Sequence, residues 1–122
     1  MTKIMSMEHE YGLSHPKIAN HKILADKLYD QNTFTLIQID YRKHLINGTQ
    51  LYIDGEHIEA ALPECSSPKE AVLYGEAASY ILKKLSSKQN IEVYKNNIDS
   101  KGNSYGCHEN YLMRRDVDFW KV

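Results

Sequence analysis

What this 122-residue chain has little of narrows the field first. It has two cysteines, Cys65 and Cys107, and neither sits in a CxxC. Reduced thiols in a cytoplasmic protein are the expectation, and a single pairing of the two with one another is the open alternative. An excess of charge of either sign is missing too. Fifteen basic residues against 16 acidic ones leave a net charge of -1, which gives no electrostatic footprint for nucleic acid or an anionic membrane. No apolar run approaches the length of a bilayer span, and "MTKIMSMEHEYG" has no apolar signal-peptide core. His44 and His57 have no spacing that specifies zinc. Repeats, low-complexity tracts and flexible linkers are absent, so no internal domain boundary is expected. What is present is a globular balance, 42% apolar and 25% charged, with nine tyrosines.

The first stretch, "KIMSMEHEYG" (3–12), alternates and ends at glycine, which predicts a strand. Met5, Met7, His9 and Tyr11 fall on one face, and Ser6, Glu8 and Glu10 on the other. In "HPKIANHKILADKLYDQN", Ile18, Ile23, Leu24, Lys27 and Leu28 recur near helical spacing and predict a short amphipathic helix ending before Asn32. "TFTLIQIDY" (33–41) is β-branched and aromatic, a strand. Asn47-Gly48 between apolar flanks predicts a hairpin, whose outgoing strand carries Gln50, Tyr52, Asp54 and Glu56 on one face. Ser67, Pro68 and Glu70 have the spacing of a helix N-terminus. The helix they open would bury Val72, Leu73, Ala77, Tyr80, Ile81 and Leu85. Strands in "NIEVYKNNID" and "NSYGCHENYLM" follow, separated by the turn "SKG", and Asp116 would cap a last helix in "DVDFWKV". The order β-α-β-β-β-α-β-β predicts an α+β fold with a largely antiparallel sheet and two main helices.

The chemistry lies on the strands. Glu8 and Glu10, two residues apart on one face, hold their carboxylates roughly 6–7 Å apart. In a sheet interior such a pair repels unless it is protonated or neutralised, and Mg²⁺ is the usual neutraliser. The plain alternative is an ordinary solvated face. Tyr52, Asp54, Glu56, His57, Glu59 and Glu64 add acids and a tyrosine with few cations among them, a composition that suits a metal-and-nucleotide floor. Taken alone, His57 reads as a hydrogen-bonded loop histidine, and Cys65 and Cys107 as packing residues. His108 and Asn110 share one face of the last strand, Glu109 and Tyr111 the other. Which face looks at a ligand is open at this stage.

"MEHEYG", "NGTQLYID", "HIEAALPEC" and "YKNNIDSKGNSYGCHENYLM", in this order, resemble the N-terminal part of the Pup ligase and depupylase family. Those enzymes attach or remove the prokaryotic ubiquitin-like protein Pup in the bacterial proteasome pathway. The resemblance covers nearly the whole chain, and "KNNID..G.SYGCHENYL" is its most specific block. It implies a glutamine-synthetase-like carboxylate–amine ligase fold. Residues 1–122 would then be the N-terminal portion of a catalytic domain whose remainder is absent. It also implies Mg²⁺ held by Glu8, Glu10, Tyr52 and Glu59, catalysis by Asp54, and ATP contacts at Gln50 and Leu62. Partners on this reading are Pup, pupylated proteins and the missing C-terminal portion.

Several positions depart from the family pattern. Gln50 stands where an arginine usually precedes "LY", "HIEA" replaces "HPEY", and Ser6 stands where a glycine is usual. "LPECSSPKEAV" and "NYLM" lean to the depupylase. "NSYGC" and the short stretch before "NGTQLYID" lean to the ligase. The expected activity is ATP- and Mg²⁺-dependent hydrolysis of the Pup side-chain amide or isopeptide bond. Ligation through a glutamyl phosphate is the alternative, and a non-catalytic remnant that binds metal or a partner is the second alternative.

Overall fold

Residues 4–121 are described by a computed structural model. β1 (Met5–Ser14) is the spine of the sheet. Its predicted start at Lys3 lies outside the described residues. One edge of β1 pairs antiparallel with β5 (His57–Ala61). The other edge pairs with β7 (Cys107–Tyr111) along its first half and with β6 (Glu92–Tyr94) along its second. Beyond β5 lie β4 (Gln50–Asp54), β3 (Arg42–Leu45) and β2 (Thr35–Ile39), giving the order β2-β3-β4-β5-β1-β6 with β7 beside β1.

The alternation predicted for β1 decides what each face does. Tyr11 and His9 are buried with Leu51, Ile58, Ala60 and Leu62, under the helices α1 (His21–Asp30) and α2 (Pro68–Ser87). The opposite face carries Glu8, Glu10 and their cross-strand neighbours, and neither helix covers it. A sheet with one packed face and one polar face is what period-2 alternation produces.

The predicted β-turn at Asn47-Gly48 forms, with Gly48 at φ +87° and Asn47 on the ordinary side. Gly48 N–H donates to the Leu45 carbonyl at 3.0 Å and Leu45 N–H to the Thr49 carbonyl at 2.8 Å. This is the three-residue hairpin with a glycine bulge.

Four expectations need correcting. β5 was not foreseen as a strand of its own, so the order is β-α-β-β-β-β-α-β-β. α2 begins as predicted, its Glu70 N–H donating to Ser67 Oγ at 3.3 Å, and buries Ile81 and Leu85 as expected, but otherwise it turns a different face to the core. Val72, Leu73 and Tyr80 are 64%, 66% and 59% exposed, while Ala71, Gly75, Ala78, Ile81, Leu82 and Leu85 face the core. Small residues let the helix lie close: a Cβ on Gly75 would stand 3.3 Å from the His9 ring. α1 likewise buries Leu24, Ala25 and Leu28, leaving Ile23 and Lys27 exposed. At the chain end a 3₁₀ turn spans Phe119–Lys121, with Asp118 Oδ1 accepting from Trp120 N–H. Asp116 is bonded to Arg114 instead.

Both cysteines are free thiols, Cys65 buried and Cys107 exposed. Among the described residues no helix is long and apolar enough to cross a membrane.

Candidate active site

Strand register builds the site. Glu10 on β1 lies opposite Glu59 on β5, and Glu59 lies opposite Tyr52 on β4. Asp54 pairs with His57, and Glu8 pairs with His108 across the β1–β7 edge. Residues from four strands therefore meet on the face the helices leave open. One cavity there is lined by Glu8, Arg42, Tyr52, Asp54, Glu59 and His108, together with Tyr41 and Ile53.

Glu59 is the buried member, 3% exposed. Burial pushes its carboxyl above the usual range, and the charges of Glu8, Glu10 and Asp54 push it further, against a hydrogen bond from the Tyr52 hydroxyl. Tyr52 is itself raised, by burial first and then by Glu59 and Glu8. Glu10 behaves oppositely. Burial raises it, but the Gly106 backbone, a hydrogen bond with His57, and the charges of His57 and His108 together bring it below the ordinary value. His57 Nδ1 lies 2.8 Å from Glu10 Oε2. His108 Nδ1 lies 3.1 Å from Glu8 Oε2, and that bond raises the imidazole.

The segment "GNSYGCHENYLM" serves this constellation. Tyr105, buried, stacks at 4.5 Å between ring centroids on His57, and a Cβ on Gly12 would come within 3.2 Å of its ring. A Cβ on Gly106 would stand 2.6 Å from Glu10 Oε1, so only glycine lets that carboxylate lie there. The loop before it is organised by Asp99, which accepts from the Lys101 and Asn103 amides at 2.8 and 2.9 Å. Of the two faces of β7, the one bearing His108 looks at the acids.

A divalent cation fits the donor set. Glu8, Glu59 and His108 each offer a ligand atom, all within 4.8 Å of one another, and so do Glu10, Asp54 and Glu59. Glu59 belongs to both groups. Its carboxyl is raised first by burial and then by the neighbouring acids, and a cation would offset both.

The structure thus brings together Glu8, Glu10, Tyr52, Asp54 and Glu59. Gln50 lies on the same face, hydrogen-bonded to Arg42. Leu62 is not among them: it is buried in the core, and a Cβ on Gly75 of α2 would sit 3.8 Å from its Cδ1. His57, expected on a loop, is a strand residue paired to Glu10. Sequence reasoning missed Arg42, because nothing in "DYRKHL" distinguishes a site cation from a surface one. The signal for His108 was present in the strand parity but needed the register to resolve it.

The antiparallel sheet, helices on one face and acids on the other, has the glutamine-synthetase-like fold of carboxylate–amine ligases. Within that class the chain belongs to the Pup-ligase protein family, whose model matches residues 3–122. It is 44% identical over 82 residues to a depupylase of Acidothermus cellulolyticus, covering 62% of this chain and 16% of the relative. It is 35% identical over 130 residues to a Pup–protein ligase of Corynebacterium urealyticum, covering 94% of this chain and 26% of the relative. The crystal structure of the complex between Pup and its ligase PafA superposes with a TM-score of 0.79 at 27% identity, over 98% of this chain and 27% of that one. The chain thus spans about a quarter or less of the length of these relatives.

Proposed function

We propose that this chain carries the metal- and nucleotide-binding wall of an ATP- and Mg²⁺-dependent enzyme that hydrolyses the side-chain amide or isopeptide linkage of Pup. The observation that supports it most is the convergence of Glu8, Glu10, Asp54 and Glu59 from three neighbouring strands onto one open face. Glu8, Glu59 and His108, with Glu10 beside them, would hold Mg²⁺, which supplies charge neutralisation for a phosphoryl group. The residues around that ion then divide the remaining tasks. Tyr52, opposite Glu59 across β4 and β5, counters the rise of that carboxyl. His57 and Gly106 fix Glu10. Asp54, exposed at the end of β4, faces outward, where it accepts a proton from the water that attacks the Pup glutamyl carbon.

Pup and pupylated proteins are the partners on this reading. The depupylases are the more similar residue for residue over the stretch they match, which favours hydrolysis. The ligases match nearly the whole chain. That supports the second reading, in which a lysine amine displaces phosphate from a glutamyl phosphate and Asp54 takes the amine's proton.

Turnover of a Pup–protein conjugate with Mg-ATP, measured on the protein and its Asp54→Asn variant, tests the proposal. The expected result is a loss of about 100-fold or more with the circular dichroism spectrum unchanged. Undiminished turnover in the variant would remove Asp54 from catalysis, and no turnover by the unaltered chain would overturn enzymatic competence for it.

A further inference from the structure

Arg42 is the one lysine or arginine lining the acidic cavity. No described carboxylate lies within ion-pair distance of it. Neutral groups hold the guanidinium instead. Nη1 donates to Gln50 Oε1 at 3.0 Å, and Nη2 donates to the Tyr41 hydroxyl at 3.3 Å. Its Cζ rests 4.2 Å from the centroid of the Tyr52 ring and 5.3 Å from that of Tyr41. Two N–H donors are thereby committed, and the rest of the planar fork is not used by these partners.

An arginine placed beside acids ordinarily takes one of them as a bidentate partner. Here that would withdraw an acid from the cluster. The two tyrosine rings and the Gln50 amide keep the charge in place while leaving the carboxylates to a cation. Such a pairing, acids for a metal and a guanidinium alongside, suits a ligand that presents metal-bound and metal-free anionic oxygens together. A polyphosphate does this, and the guanidinium fork matches its oxygens.

We propose that Arg42 is the phosphoryl-binding cation of this site. From β3 it contacts the phosphate oxygens of a Mg²⁺-bound nucleoside polyphosphate, and Gln50 is a positioning residue that aims it. The inference rests on the metal–nucleotide reading above and deepens it: the nucleotide contact expected at Gln50 passes to the neighbouring strand.

Calorimetric titration with Mn²⁺ alone and with Mg-ATP separates the two claims, on the unaltered chain, Arg42→Gln and the exchange R42Q/Q50R. Arg42→Gln is expected to weaken Mg-ATP about 10-fold or more, as loss of a charge-assisted hydrogen bond does. Mn²⁺ binding, which also reports an intact fold, is retained or strengthened. The exchange variant, which moves the guanidinium to β4, regains most of the loss. Equal Mg-ATP affinity in Arg42→Gln overturns the role of Arg42 and leaves the metal reading standing. Mn²⁺ binding without Mg-ATP binding by the unaltered chain overturns Arg42 as well. Absence of both overturns the metal–nucleotide reading itself.

Discussion

At the scale of single residues, Gly106 shows how a small change would reach the acids. Its missing Cβ is the space that Glu10 occupies, with His57 on the far side of the carboxylate. Gly106→Ala forces the Glu10 carboxylate to move, and because the atom it meets is the end of a flexible side chain the cost is at the low end for overpacking, about 1 kcal/mol. The expected outcome is a lower urea midpoint together with weaker Mn²⁺ binding. A variant with wild-type midpoint and wild-type affinity would show that Glu10 is not held where the structure puts it. The acids on β1 and β4 were legible in the sequence because alternation alone assigns them to a face. Leu62 was not legible: its neighbours on β5 read as a loop, and only the strand parity sends it under α2. Arg42 stayed hidden for a related reason, since its partners Gln50 and Tyr52 lie across a hairpin.

Among the elements, α2 separates what propensity can foresee from what packing decides. Its N-terminus was legible in Ser67-Pro68 and Glu70, and Ser67→Ala should cost about 1 kcal/mol, read as a fall in thermal or urea stability. Its buried stripe was legible only at Ile81 and Leu85, because elsewhere hydrophobicity favours Val72, Leu73 and Tyr80. The sheet instead takes the small residues Ala71, Gly75 and Ala78, which allow close approach. β5 escaped notice similarly, since Glu and Ala in "HIEAA" are poor strand formers in isolation and pairing on both edges overrides that.

Glu70 also gives α2 a pH signature. Ser66 N–H and Ser66 Oγ donate to Glu70 Oε2 at 2.7 and 2.8 Å. The Ser66 backbone bond and then its hydroxyl hold the carboxyl below the ordinary range. A lowered folded-state value means the contribution is complete above the unfolded value and is lost as pH falls through the folded one. The stability difference between the protein and Glu70→Gln should therefore shrink as pH drops from about 5 to about 3. A difference that stays constant over this window would contradict the cap.

For the molecule as a whole, the unpartnered surfaces set its behaviour in solution. β2 is the last strand on its side of the sheet, and Leu36, Ile37 and Ile39 on it are all more than half exposed. An apolar edge strand invites pairing with another chain. Size-exclusion chromatography of the chain alone should show a species heavier than a monomer, and Ile37→Lys should shift it towards the monomer. A sharp monomer peak for the unaltered chain would show that this edge does not drive association.

The site is also a whole-molecule property, because acids from β1, β4 and β5 are packed together against their mutual repulsion. Titration of the chain with Mn²⁺, followed by electron paramagnetic resonance and paired with urea unfolding in the absence of metal, tests this most directly. Saturable binding by the unaltered chain should be abolished by Glu59→Gln and retained by Glu56→Gln. The metal-free Glu59→Gln protein should be more stable than the unaltered one, since a buried, repelled carboxylate has been removed. Undiminished Mn²⁺ binding in Glu59→Gln, or none in the unaltered chain, would contradict a shared cation site.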